Sequence, residues 1–370
     1  MRESQTRRPG GPTIAGMAGR EPPTQGAWQG APLPLSGSRI PTMISPEETQ
    51  YLWWLTATEW RDAGHIVEIG PWLGGSTVCL AEGMRARLTP PAHRLHTVDN
   101  FVWRSFMAER ADLGLRPGES FEAAFRANVE PYADLIEVER AWLPDERIEG
   151  DAWAEDVRGD GNAGALFRWD GAPIELAFVD GAKSWTAFAH LMRELGPSLA
   201  EGSLLVLQDY KYWGSYWVPM LAELQADRLE LVHVLPHNTV GFRVTRDLGP
   251  LADAIAMPAP AEGVALLERA ADRLVERGDR LGAEIVRLES IRFLAHRGDG
   301  EGAARLLRER VRAWPASADA RDLLLARAWL ETFSGRSIRS SSLTARALRN
   351  AARRRAGRAV RIGRRRLGRA

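Results

Sequence analysis

Two apolar strands, 229–235 and 239–245, stand in the stretch LELVHVLPHNTVGFRVTR with only Pro236, His237 and Asn238 between them. So short a connection joins antiparallel neighbours, because a parallel pair needs a crossover of a dozen or more residues. Five earlier strand-like runs are of another kind: 65–70 (HIVEIG), 94–99 (RLHTVD), 135–140 (LIEVER), 174–180 (IELAFVD) and 203–209 (SLLVLQD). Helix-like stretches at roughly 76–87, 119–130, 184–195 and 215–226 separate them. Near-continuous Val, Ile and Leu runs alternating with helices describe a parallel sheet covered on both faces. The expectation is therefore an α/β, doubly wound, mostly parallel sheet of seven strands with an antiparallel last strand. An ordinary dinucleotide-binding sheet has no such ending. A helix starting at Pro46 precedes the sheet, with Ser45 as its cap and Glu48 completing a capping box.

Around this core the composition changes. Residues 1–43 are rich in Pro, Gly, Ser and Arg without periodicity and are expected to form a disordered extension, with the sheet domain spanning 44–250. From about 260 the pattern is all-helical, and 260–334 reads as two helical hairpins resembling a tetratricopeptide array. The competing reading is a helical extension packed on the core or on a second copy in a homo-oligomer. The net charge of +1 hides an asymmetry: from Arg339 to Ala370 there are 12 arginines and no acid, so the body is acidic. That tail, 338–370, could contact anionic lipid or nucleic acid nonspecifically, or lie on the acidic body. It has no interleaved aromatics to support base stacking. One cysteine, Cys79, excludes an internal disulfide and a cysteine-cluster zinc site. No apolar run approaches the ~18 residues of a membrane span, and the first residues lack the apolar core of a secretory signal. A cytoplasmic location is the expectation.

The most specific motif is VEIGPWLGGST, residues 67–77. A strand runs into Gly70, a tight loop reaches Gly74 and Gly75, and a helix starts near Ser76. Glycine suits places where the backbone turns sharply and a ligand comes close, and a helix N-terminus offers free N–H groups. The spacing Gly-x-x-x-Gly differs from the Gly-x-Gly-x-x-Gly of nicotinamide binders. Asp99, at the end of the second strand, is placed to accept both hydroxyls of a ribose.

With HTVDNF, FVDGAKSW and LVLQDY following in order, the motif resembles the class I S-adenosylmethionine-dependent methyltransferases. The nearest likeness is to the branch holding macrocin-type sugar O-methyltransferases and catechol O-methyltransferase, over about residues 45–246. The resemblance implies that Glu68, Gly70 and Gly74 line the methionine half of the cofactor, with Ser76 nearby, and that Asp99 holds the ribose. It places Ala141, Trp142 and Leu143 against the adenine.

Methyl transfer to oxygen needs alignment of nucleophile and methyl, and a way to remove the hydroxyl proton. Lysine occurs only twice among the 49 Lys and Arg residues, as Lys183 and Lys211, each just beyond a strand end. Arginine cannot lose its proton, whereas a partly buried lysine can. Lys183 follows Asp180 by three, resembling the Asp-x-x-Lys of the catechol enzyme, in which the acid binds metal and the lysine is the base. Asp180 and Asp209 could hold Mg2+ with Gln208, although Gln208 brings no charge where relatives have a second acidic or Asn ligand. Two readings stay open: metal at Asp180, Gln208 and Asp209, or catalysis by Lys183 or a histidine with Asp180 on the cofactor's amino group. Lys211 reads as a lid or surface residue.

Trp72, Trp103, Trp142, Trp185 and Trp213 follow the first five strands in turn, which places them on a pocket rim that could stack a sugar or aromatic ring. Trp53, Trp54 and Trp60 read as core, His190 as buried, His237 as exposed and Cys79 as a small core residue. The expected activity is O-methylation of a small ring-shaped acceptor, a sugar or natural product. The alternative is an inactive methyltransferase-like platform for partners.

Overall fold

The computed structural model describes residues 26–34, 39–144, 165–248 and 256–314. They fall into two compact units: one runs to Asp209 and resumes over Gln225–Ala256, and the other holds Tyr210–Leu224 and the chain from Met257.

In the first unit eight strands form one sheet: β1 (His65–Ile69), β2 (Leu95–Asp99), β3 (Ile136–Trp142), β4 (Ala165–Leu166), β5 (Ile174–Val179), β6 (Leu199–Leu207), β7 (Leu229–Val234) and β8 (Val240–Val244). Their order is β4-β3-β2-β1-β5-β6-β8-β7. Pairing is parallel from β4 to β6, while β8 runs antiparallel to both β6 and β7. Every residue of β5 is buried, as are the last five of β6 and all but the first of β1. That is the environment their unbroken apolar runs require. The chain builds outward from β1 on one side and then from β5 on the other, so the order reverses between β1 and β5. Ligands of open α/β sheets bind beyond the carboxyl ends of the strands at such a switch point.

Helices α1 (Pro46–Trp54), α2 (Gly75–Arg85), α3 (Glu122–Val129) and α4 (Trp185–Leu195) belong to the same unit. The capping box of α1 is formed, with Ser45 Oγ accepting from Glu48 N–H and Glu48 Oε2 accepting from Ser45 N–H. Tyr51, Leu52, Leu80 and Met84 of α1 and α2 share one core with Ile66, Leu95 and Phe178 of the sheet.

The sheet differs from the expected seven strands by β4, two exposed residues added to the edge beside β3. The stretch 1–43 is also not featureless where it is described. Ala27–Gly30 makes a 3-10 turn, and Trp28 is buried edge-on against Tyr51. Residues 1–25 and 35–38 lie outside the described residues.

In the second unit α5 (Trp217–Glu223) joins α6 (Pro260–Glu276), α7 (Arg280–His296) and α8 (Gly300–Ala313). The two turns between α6, α7 and α8 repeat one design. Gly278 and Gly298 take left-handed φ of 83° and 79°, and the next residues, Asp279 and Asp299, cap the following helix by accepting from Gly282 and Gly302 N–H at 2.8 Å. Trp213, Leu288, Ile291, Leu307 and Trp314 form the core. The fourth expected helix and the arginine-rich tail lie outside the described residues. No described helix is long and apolar enough to cross a membrane.

Candidate active site

The loop after β1 is held by what surrounds it. A Cβ on Gly70 (φ 83°) would meet the Gly181 Cα at 2.7 Å and the Asp180 carbonyl carbon at 2.9 Å. Only glycine lets the ends of β1 and β5 approach this closely. Gly74 (φ 92°) ends the loop as the cap of α2, and a Cβ there would strike Val129. Asn128 fastens the loop from α3 by donating from Nδ2 to the Leu73 carbonyl at 2.9 Å. Thr42, ahead of α1, lies against Gly75, whose Cβ would come within 3.0 Å of its hydroxyl.

Glu68 is fully buried beneath this loop. Its carboxylate accepts from Ser76 Oγ at 2.5 Å, Thr77 Oγ1 at 2.6 Å and Thr97 Oγ1 at 3.0 Å. Burial raises the Glu68 carboxyl above its ordinary value, against these three donors. Glu68, expected to line the methionine half, and Ser76, expected nearby, are hydrogen-bonded to each other. Their contribution is to hold the first turn of α2 against β1 and β2. Thr77, Thr97 and Asn128 were not singled out in the sequence. Thr97 had a signal, being a polar residue inside a buried strand and in register with Glu68.

Asp99 ends β2, half-buried, and its Oδ1 accepts from Phe101 N–H at 2.7 Å. Burial pushes its carboxyl up to about 6, opposed by the N–H groups of Phe101, Trp72 and Asn100 and by the field of Arg104. Of the described non-glycine residues only Asp62, Trp72, Phe101 and Asp209 have positive φ. The last three sit just beyond β1, β2 and β6. Such strain in bulky residues persists where the surroundings over-determine it, commonly at functional sites.

Ala141 and Trp142 end β3, Leu143 follows, and Ala141 is buried. The Trp142 indole N–H is buried without a hydrogen-bond partner among the described residues, as is that of Trp72. Residues 145–164, which follow, lie outside the described residues.

Beyond β5 and β6 three charges meet. Lys183 Nζ donates to Asp180 Oδ1 at 3.1 Å and to Asp209 Oδ2 at 2.7 Å. Burial by itself lowers a lysine, but Asp209 and Asp180 outweigh it here and hold Lys183 above its ordinary value. This arrangement favours the ammonium form of Lys183. Burial raises Asp180 well above the ordinary carboxylate range; Lys183 opposes this, and Asp209 and Glu48 add to it.

This arrangement also bears on magnesium. The cation between Asp180 and Asp209 is the Lys183 ammonium, and a divalent ion would have to displace it. Gln208 is buried, and its Oε1 has no hydrogen-bond partner among the described residues. No group of three or more His, Cys, Asp or Glu among the described residues could hold a metal. The donor set does not fit Mg2+.

Lys211 is in the helical unit, with Nζ donating to Asp279 Oδ2 at 2.6 Å, and is buried rather than a surface residue. The expected aromatic rim is corrected in part. Trp103 is buried against Phe121, Trp213 belongs to the core of the helical unit, and Trp72 and Trp185 are buried; Trp142 is half-buried. Trp54 and Trp60 are core and Trp53 packs against it. His190 is buried on the Phe167 carbonyl at 2.9 Å, His237 is exposed, and Cys79 is buried.

A glycine loop after β1, an acid at the end of β2, and a reversed β8 set between β6 and β7 together define the fold of the class I S-adenosylmethionine-dependent methyltransferases. Residues 67–210 match the family model described as a methyltransferase domain, and this segment is such a domain. The helical unit beyond Met257 lies outside the match. No curated protein matches the chain.

Among solved structures the chain is similar to the O-methyltransferase NovP, at 17% identity over 56% of this chain and 83% of that one, with a TM-score of 0.38. It is similar to TomG from Streptomyces achromogenes, an O-methyltransferase involved in tomaymycin synthesis, at 19% identity over 55% and 81%, TM-score 0.32. The TDP-rhamnose 3'-O-methyltransferase CalS11 of calicheamicin biosynthesis aligns at 14% identity over 59% and 90%, TM-score 0.35. Likeness at this level says nothing of the acceptor.

Proposed function

We propose that the protein transfers a methyl group from S-adenosylmethionine to a hydroxyl of a small ring-shaped acceptor, a sugar or natural product, with Asp180, Lys183 and Asp209 handling the proton. The observation that carries this is the Lys183 ammonium bridging two carboxylates directly beside the glycine loop, where Gly70 abuts the backbone of Asp180 and Gly181. The bound cofactor supplies an electrophilic methyl on a sulfonium. Gly70 and Gly74 leave room for its methionine portion, Asp99 accepts from the ribose hydroxyls, and Trp142 and Leu143 flank the adenine. Asp180, held above the ordinary carboxylate range, is the better proton acceptor near neutral pH and takes the acceptor's hydroxyl proton. Lys183 keeps the two acids together and its positive charge favours the developing oxyanion.

Turnover is tested by incubating the protein with methyl-labelled S-adenosylmethionine and a panel of nucleotide sugars and phenols. Labelled O-methyl product is expected, at a rate within about twofold with or without a chelator, because no step uses a metal ion. Label on no acceptor, or a rate abolished by chelation, would sink the reading.

Asp99→Ala is expected to weaken S-adenosylhomocysteine about 10- to 100-fold, the worth of about 1.5–3 kcal/mol of charge-assisted hydrogen bonding. The carboxylate form is the acceptor, and protonation removes it. Affinity of the unaltered protein should therefore hold above about pH 6 and fall about tenfold per unit below it, a slope absent from the variant. Equal affinities would remove Asp99 from the site.

A further inference from the structure

Three of the chain's seven histidines meet at the amino-terminal ends of β1 and β2, opposite the strand ends that carry the site. His65 opens β1, His96 lies in β2, and His93 precedes it. His65 Nδ1 and His96 Nε2 are 3.0 Å apart, with ring centroids 4.6 Å apart and the planes near perpendicular. The His93 ring meets His65 at 4.9 Å, and Trp169 stands edge-on to His96 at 5.1 Å.

A hydrogen bond between two imidazole nitrogens needs an N–H on one and a lone pair on the other. The bond therefore cannot survive with both rings charged, which would also set two like charges within hydrogen-bond distance in a half-buried place. Imidazole changes its charge near neutral pH, so the chemistry argued for this cluster is proton binding.

We propose that the His65–His96 hydrogen bond is a proton-sensitive latch tying β1 to β2, which acidification opens, loosening the amino-terminal edge of the sheet. The proposal rests on the fold and is independent of the reaction assigned above.

The groups facing the latch come from every neighbouring element. Asp62 accepts from the N–H groups of Ala92 and His93 and lies 3.0 Å from His93 Nδ1. Glu137 of β3 is 3.3 Å from His96 Nδ1, and Arg94 reaches Glu137. Asp170, ahead of β5, adds its field. Burial, the largest cause, holds both His65 and His96 below the ordinary histidine value. His93 adds to this at His65, His65 and Arg94 add to it at His96, and Glu137 and Asp170 oppose it at both. With folded values depressed, the unfolded chain binds protons that the folded one refuses. Stability is then lost as pH falls through the unfolded histidine value and levels off below the folded one.

The test is thermal unfolding of the full chain without cofactor, from about pH 8 to about pH 5, for the unaltered protein, His96→Gln and His65→Gln. Glutamine keeps a polar amide but does not titrate. The unaltered midpoint should fall by roughly 2–4 °C more than that of either variant. Other acid-sensitive groups, such as Asp99 and the half-buried His296, are common to all three and cancel in the difference. Parallel curves would overturn the latch. Proton NMR titration of the unaltered protein decides the matter should the variants not fold. Depressed midpoints at two mutually dependent rings support the latch, and two rings titrating independently at the ordinary value refute it.

Discussion

Lys183→Met is expected to lower turnover about 10²- to 10⁴-fold while leaving S-adenosylhomocysteine affinity within about threefold. Methionine preserves most of the aliphatic stem and removes the charge. Asp180 and Asp209 then face each other without a cation, and one of them takes up a proton to relieve the repulsion. The pair can no longer be held in place, and the developing oxyanion loses its positive neighbour. Lys183→Arg separates the two roles a lysine could play. A guanidinium supplies the charge but never a lone pair, so partial activity in Lys183→Arg above that of Lys183→Met supports the ammonium role. If both variants are equally dead and the unaltered enzyme's rate rises with the deprotonation of a single group of lysine-like pKa, Lys183 is the base after all. Initial rates across pH for the three proteins make the comparison.

Lys211→Met is expected to destabilise the helical unit by about 3 kcal/mol, because it strips the partner from a carboxylate that is mostly buried. Lys211 Nζ sits on Asp279 Oδ2, and the other Asp279 oxygen caps α7 at Gly282 N–H. One aspartate thus serves both the ion pair and the helix start. The stem of Lys211 runs against Gly282, where a Cβ would meet its Cδ at 2.5 Å, so there is little room for a broader guanidinium. Lys211→Arg should recover less than half of the loss. Urea unfolding followed by helical circular dichroism reads both variants, and a Lys211→Met midpoint equal to that of the unaltered protein would place the pair among weak surface bridges.

These two lysines show what the sequence could and could not say. Their places beyond strand ends were legible, since SLLVLQD and IELAFVD are continuous apolar runs that end in acids. Their states were not. Lys183 is paired with Asp209, a residue 26 positions on whose approach depends on β5 and β6 lying side by side. Lys211 is buried because of Asp279, 68 positions on. The main strands were legible for the same reason as the strand ends, whereas β4 left no trace because its two residues are exposed and bury nothing.

The tryptophans make the converse point. Their spacing after the strands was correct, yet a loop aromatic can turn inward, as Trp103 does onto Phe121 and Trp213 does among Leu288 and Ile291. Trp28 shows the same preference inside a Pro- and Gly-rich stretch that otherwise has no pattern to fold by.

The glycine loop was legible as a turn, but its cause was not. Gly70 is required by the backbone of Gly181, more than 100 residues away in sequence. Nothing local to Glu68 reveals that Ser76, Thr77 and Thr97 converge on its carboxylate.

The most direct measurement is calorimetric titration of the full chain with S-adenosylhomocysteine at about pH 7.5. Binding in the micromolar range at one site per chain is the expected result, weakened in Asp99→Ala and unchanged in Lys183→Met. No heat of binding in the unaltered, folded protein would contradict the assignment of the glycine loop and Asp99 as a cofactor site, and with it the methyl-transfer reading.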